Sequence, residues 1–512
     1  MKKVRIFSQL LFFAIFLILF VQTESNGNDE LQYPVKIFLD FDPFILVTTF
    51  FSNYRVFSKT LYLSLVTVLF TVFFGRIFCG WVCPFGTIHE AIGSQTKSRF
   101  GDFHRMKYYL LILLISSSIC GIQLGGFLDP ICFLIRSLTF TVNPVINSLT
   151  RETFDKAFET LPSAFSNVSE AIFAIFKKYF LSFKQPMFQQ NLLIFILFFL
   201  VISLNFLERR FWCNNICPLG ALLGLLSPCS LFGRKVKDEC LKCGNCDKVC
   251  NGDSLPHRGN GNFRPGECLI CFNCQSECPT NAIFFAWKGF RGNPIPDVKR
   301  RKILASAASG IIFSHFFKVQ PERKVPSPQL IRPPGSVSEE EFLRRCIKCG
   351  ECMKVCITNG LQPTFLEAGL GGMWTPTLVP KLGYCEYRCT LCGQVCPTQA
   401  IEKKSVNEKA KVKIGLAFID KNRCLPYSQG IDCIVCEEHC PTPKKSIWFQ
   451  SAEVILRSGE KRFVSQPKVD QDLCIGCGIC EAKCPVVDLP AIYVTSIGET
   501  RSKVNQMRLS GY

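Results

Sequence analysis

At 512 residues the chain has material for two to four domains. Its 31 cysteines would suit a disulfide framework in a small secreted protein, but a chain this long, 48% hydrophobic and holding 48 phenylalanines, points to metal ligation instead. A formal charge of +19 raises nucleic acid or an anionic membrane surface as a partner. No RNP-like, helix-turn-helix or zinc-finger pattern accompanies it, so no nucleic-acid partner is expected.

In chain order, the first element is the apolar run 6–22, preceded by Lys2, Lys3 and Arg5. No small-x-small cleavage site follows it, so it reads as a retained span. Further spans are expected at about 60–78, 108–128 and 191–207. If they alternate, Lys2, Lys3, Arg5, Lys97, Arg99, Arg105, Lys107, Arg209 and Arg210 fall on one side, which reads as cytoplasmic. Between the last two spans, Phe165, Val168, Ile172, Phe173, Phe176 and Phe180 recur at helical spacing, as in an interfacial amphipathic helix or a packed one.

From Lys235 the chain becomes polar and cysteine-rich. Cys240, Cys243, Cys246 and Cys250 form C-x2-C-x2-C-x3-C, and Cys268, Cys271, Cys274 and Cys278 repeat it with Pro279 following. Short x2 gaps let one loop wrap a corner of a [4Fe–4S] cube with three thiolates, while the fourth ligand comes from the other motif. One cluster is then expected on Cys240, Cys243, Cys246 and Cys278, and another on Cys268, Cys271, Cys274 and Cys250.

Beyond a short apolar stretch (303–317) and a Pro-rich linker come four more motifs. They are Cys346, Cys349, Cys352 and Cys356; Cys385, Cys389, Cys392 and Cys396; Cys424, Cys433, Cys436 and Cys440; and Cys474, Cys477, Cys480 and Cys484. The middle two have lengthened first gaps, which extend a loop without forbidding a cube. Fourth-ligand exchange is expected to nest the first motif with the fourth and the second with the third.

Six motifs of four use 24 of the 31 cysteines. Zinc would want two CxxC pairs across a longer gap, with no use for the third cysteine. Six oxidised clusters at about −2 each remove about 12 charges and leave roughly +7.

Four other cysteines form a second pattern: Arg76-Ile-Phe-Cys79-Gly-Trp-Val-Cys83-Pro84-Phe85-Gly86 and Arg210-Phe-Trp-Cys213-Asn-Asn-Ile-Cys217-Pro218-Leu219-Gly220. Each follows an Asp-Pro, at Asp42-Pro43 and Asp129-Pro130, so the first half is an internal repeat. Cysteines four apart share a helix face, and these pairs either bind metal, cycle as thiols or pack helix ends. Cys120, Cys132 and Cys229 read as packing residues. Without C-x-x-C-H or a G-x-G-x-x-G opening a βαβ unit, covalent haem and dinucleotide sites are not expected, and no catalytic acid–base pair is visible.

With these motifs, residues 1 to about 290 resemble the membrane ferredoxin-type quinol dehydrogenase subunit (NapH type) of periplasmic nitrate reductase systems. Residues from about 298 resemble its twin-arginine-exported ferredoxin partner (NapG type), and both are similar to the methylamine-utilisation ferredoxins. The resemblance implies an α-helical transmembrane bundle of four spans plus a fifth, with small α+β bacterial ferredoxin-like domains. Its parts are a four-span membrane domain (1–230), a cytoplasmic two-cluster domain (231–290), a twin-arginine-like fifth span (298–318), a linker (319–335) and a periplasmic four-cluster domain (336–512). It further implies an inner-membrane protein passing electrons from the quinone pool to a periplasmic redox enzyme or cytochrome. A competing expectation is a copper-handling maturation factor like the FixG and NosR relatives, with the Cys-Pro pairs as its metal site.

Overall fold

The computed structural model describes residues 1–25, 29–31, 33–93, 105–160, 163–179, 181–255, 263–287, 298–318, 327–455, 459 and 461–507. The first apolar run forms α1 (Lys2–Gln22), about 32 Å long at 1.5 Å per residue. Phe7, Leu10, Leu11 and Ile18 face outward, while Phe16 is buried edge-on to Phe38 at 5.2 Å between ring centroids.

There follow α2 (Pro43–Asn53), α3 (Ser64–Phe74), α4 (Pro84–Ile92), α5 (Met106–Ile119), α6 (Pro130–Ser137), α7 (Asn143–Thr160), α8 (Ser163–Tyr179), α9 (Asn191–Ser203) and α10 (Pro218–Leu226). Four of these begin with proline, whose fixed φ suits the first helical position, and each has a capping acceptor just before it. Asp42 accepts from the Phe44 N–H at 2.8 Å and Asp129 from the Cys132 N–H at 2.8 Å. The Cys83 Sγ accepts from the Gly86 N–H at 3.4 Å and the Cys217 Sγ from the Gly220 N–H at 3.2 Å. The order of caps, Asp, Cys, Asp, Cys, is the internal repeat made structural. In the α7–α8 hairpin Phe173 and Phe176 pack on Phe154, at 5.0 and 5.8 Å between centroids. Phe165, Val168 and Phe180, like Lys97 and Arg99, lie outside the described side chains.

The expected bundle of four spans and a fifth is not formed. Among the described residues only α1 is long and apolar enough to cross a membrane. The stretch expected at 60–78 is continuously helical over Lys59–Phe74, about 24 Å, and is broken at Gly75 with φ +73°. The one expected at 108–128 stops after Ile119, where Gly121 turns at φ +80°. The third reaches only Phe206. Each falls short of the roughly 30 Å hydrocarbon layer. The expected fifth span is α11 (Arg300–Lys318), 19 residues with three cations in its first turn. It packs along α5, and a Cβ at Gly310 would stand only 2.5 Å from the Leu113 carbonyl.

Two cysteine-rich units flank the helices. The first is closed by the antiparallel pair β1 (Phe232–Val236) and β2 (Ile283–Trp287), with Phe232 opposite Trp287. The second holds three antiparallel pairs: β3 (Leu361–Pro363) with β4 (Pro376–Leu378), β5 (Leu416–Ile419) with β8 (Ile492–Thr495), and β6 (Ile447–Ile455) with β7 (Lys461–Val469). Of the expected linker, 319–326 lies outside the described residues, whereas Leu330, Ile331 and Arg332 are buried within the second unit. The two units occupy opposite ends of α1: Lys2 faces Glu277 at 3.8 Å, and Glu24, just past the other end, pairs with Lys354 at 2.6 Å.

Candidate metal centres

In the second unit four cavities are each walled by four cysteines. Three come from one motif and the fourth from another. Cys346, Cys349 and Cys352 meet Cys396; Cys385, Cys389 and Cys392 meet Cys356. Likewise Cys424, Cys433 and Cys436 meet Cys484, and Cys474, Cys477 and Cys480 meet Cys440. Exchange therefore joins the first motif with the second and the third with the fourth, not in the expected nested order. Among the described residues no three His, Cys, Asp or Glu side chains converge closely enough for a single ion. The four sulfurs of each set stand around a volume instead, which suits a polynuclear centre.

The backbone explains how a triplet wraps its cavity. In every regular motif but the stretched two, the residues on either side of the second cysteine are left-handed: Lys242 and Gly244, Ile270 and Phe272, Lys348 and Gly350, Gly476 and Gly478. Such a turn directs successive N–H groups inward, making a nest for negative charge. The N–H groups of Ile270 and Asn273 serve Cys268 and Cys271, those of Lys348 and Glu351 serve Cys346 and Cys349, and those of Gly476 and Ile479 serve Cys474 and Cys477. Donation of this kind tunes the potential of an iron–sulfur centre. Burial pushes the Cys477 thiol up to about 12.

In the first unit burial also raises the Cys268 and Cys274 thiols, and Cys271 and Cys250 add to the effect at both. Cys250 thus joins the triplet Cys268, Cys271 and Cys274, and Cys240 neighbours Cys246. Cys243 is exposed.

Sequence reading missed the residue that docks this unit. Glu267, 3% exposed, lies immediately before Cys268. It accepts from Arg76 Nη1 at 2.9 Å, from the Tyr108 hydroxyl at 2.7 Å and from Lys107. Burial opposes its ionisation, but Lys107 and Arg76 outweigh that and hold its carboxyl below the usual range. A charged residue beside a ligand was the available signal; its partners, 191 and 160 residues away, were not legible.

The repeat brings Cys79, Cys83, Cys213 and Cys217 together, all buried. Burial raises the Cys83 and Cys217 thiols, with Cys213 and Cys79 adding at both. The arginines cross over. Arg210 donates to the Cys79 carbonyl at 2.8 Å and lies with its Nη2 where a Cβ at Gly86 would be. Arg76 likewise fills the space beside Gly220. The glycine three residues after each Cys-Pro cap cysteine thus admits the other repeat's arginine. Cys132 is buried, Cys120 half-buried and Cys229 exposed.

The chain is 32% identical over 176 residues to the ferredoxin-type protein NapG of Escherichia coli K12, spanning 74% of that protein and 34% of this chain. It belongs to the NapG-like ferredoxin-type family. Similarity extends to the methylamine utilization ferredoxin-type protein MauM of Methylorubrum extorquens, 35% identical over 67% of that protein and 30% of this chain, and to E. coli NapF, 31% identical over 85% of that protein and 32% of this chain. A family described as "4Fe-4S binding domain" matches residues 60–102 and 190–237, and another of the same description matches 467–487. No solved structure matches. This NapG-like chain is an iron–sulfur electron-transfer protein, its clusters supplying one-electron carriers where the cysteine sets fit them.

Proposed function

We propose that the protein carries electrons from quinol to a redox enzyme or cytochrome across a membrane, through six [4Fe–4S] clusters. Two are held in the first unit, on Cys240, Cys243, Cys246 and Cys278 and on Cys268, Cys271, Cys274 and Cys250. Four are held in the second, on the sets that share its cavities. The observation carrying this reading is the placement of the units at the two ends of α1. A helix of about 32 Å matches a hydrocarbon layer of roughly 30 Å, so an α1 that crosses the membrane puts the units on opposite faces. The basic residues Lys2, Lys3 and Arg5 then mark the first unit's side as cytoplasmic and leave the second in the periplasm. Quinol is suited to the donor role because it dissolves in the layer that α1 crosses.

The test is anaerobic addition of a menaquinol or ubiquinol analogue to membranes holding the full chain, with cluster reduction followed by EPR. Reduction by quinol is expected. Clusters that dithionite reduces and quinol leaves oxidised overturn the quinol role. Thiol labelling of intact cells after cluster removal should reach cysteines beyond residue 336 and spare Cys240–Cys278; labelling of neither overturns the opposite-face placement.

A further inference from the structure

Between the two units lies a chemistry that the six sets do not use. Cys79, Cys83, Cys213 and Cys217 are each 9% exposed or less and come symmetrically from the two halves of the repeat. Arg76 and Arg210 are fully buried beside them. Arg76 Nε and Nη2 and Arg210 Nε make no hydrogen bond with any described residue. Among the described residues their carboxylate partners are Glu267 for Arg76 and Glu90 for Arg210, each already shared with another cation. Four thiolates on an iron–sulfur core total about −2 in the oxidised state, the charge that two guanidiniums complement. The match of a 4Fe-4S binding description to 60–102 and 190–237 covers both cysteine pairs and neither ferredoxin triplet of the first unit.

The surroundings connect this place to both units. On one side the Trp81 indole donates to the Ile270 carbonyl at 3.1 Å, and a Cβ on Gly80 would stand 2.5 Å from the Leu269 carbonyl, so the first pair rests on the loop between Cys268 and Cys271. On the other side a buried column begins at Phe85 and Trp212, neighbours in sequence of Cys83 and Cys213, at 6.1 Å between ring centroids. Trp212 stacks on Phe133 at 5.5 Å, the Arg136 guanidinium lies 5.7 Å from Phe133, and the same guanidinium lies 4.4 Å over Trp374. Trp374 lines the cavity of Cys346, Cys349, Cys352 and Cys396.

We propose that Cys79, Cys83, Cys213 and Cys217 together ligate an additional iron–sulfur centre, which relays electrons between the Cys250/Cys268/Cys271/Cys274 centre and the Cys346/Cys349/Cys352/Cys396 centre. It rests on the electron-transfer reading above. In each turn the centre takes one electron from the reduced first-unit cluster, which is thereby oxidised, and gives one electron to the second-unit cluster; no bond or proton moves. Arg76 and Arg210 are positioning residues that balance its charge.

The experiment compares iron, acid-labile sulfide and copper in the anaerobically purified full chain and in Cys79→Ser/Cys213→Ser. The variant is expected to lose about four iron and four sulfide for a cube, or about two of each for a two-iron centre, with the ferredoxin EPR signals kept. Equal iron in both proteins, or copper in place of iron, overturns the additional centre and leaves the six-cluster reading standing. Absence of the ferredoxin signals from the wild type overturns both. Because serine at two buried positions can unfold the helices, Arg210→Gln is the second variant: with all thiols retained, removing a buried cation disfavours the reduced state. One centre should titrate at a lower potential while the others stay, and an unchanged set of potentials overturns the proposal.

Discussion

The two cysteine-rich units are built from the same triplet yet are fastened to the helices with a different balance of contacts. The first docks through buried charge, with Glu267 set between Arg76, Lys107 and Tyr108. The second joins one such pair, Glu24 with Lys354, to a set of backbone acceptors: Arg136 donates to the Lys348 carbonyl at 3.0 Å, Lys348 to the Gln123 carbonyl at 2.5 Å, and Ser52 to the Arg344 carbonyl at 2.9 Å. Its main ion-pair network is turned inward, joining Arg332, Glu339 and Arg501.

That contrast can be broken, starting with the centres themselves. Cys396→Ser should empty the cavity of the first triplet, and Cys356→Ser that of the second, each removing about four iron atoms by elemental analysis. Loss in the reverse assignment would undo the observed exchange. Next, Glu267→Ala leaves Arg76 and Lys107 buried without their shared carboxylate and should destabilise the first unit's docking by about 3–5 kcal/mol. Limited proteolysis should then cut the first unit before the second; equal susceptibility would remove the distinction.

A smaller effect should separate the inward network by pH. Burial opposes ionisation of Glu339, but Arg332 and Arg501 outweigh it and bring its carboxyl down to about 2 from the ordinary 4.5. A lowered carboxyl contributes stability above its unfolded value and loses it as pH falls toward the folded one. Wild type should therefore exceed Glu339→Gln in urea stability by about 3 kcal/mol at neutral pH, with the gap closing as pH falls below about 4.5 toward 2. A gap independent of pH would assign the effect to packing. Smallest of all, Lys2→Ala should change stability by less than about 1 kcal/mol, because the Lys2–Glu277 pair is 3.8 Å apart and solvated.

The triplets and the repeat were legible because their signals are local. Asp42-Pro43, Cys83-Pro84, Asp129-Pro130 and Cys217-Pro218 each start a helix with the cap that their chemistry favours. The span lengths were misjudged because apolar runs continue past the residues that end helices. The run after Met106 carries on beyond Gly121, whose positive φ ends α5 regardless of hydropathy. Nested exchange was wrong because the first and second motifs fold face to face, and so do the third and fourth. The two pairs meet elsewhere, at a bond from the Cys385 N–H to the Cys477 carbonyl of 2.8 Å.

By itself the sequence determined which cysteines act as triplets, where the repeat begins and which helices open with a cap, since each depends on residues within about one turn or loop of one another. Only the tertiary structure decided which fourth cysteine completes each set, that Glu267 anchors the first unit, and that each arginine of the repeat crosses to the other half's glycine. Those partners lie 29 to 191 residues apart, and the energy that selects them comes from desolvating charge and fitting surfaces. Neither quantity exists until the chain has folded.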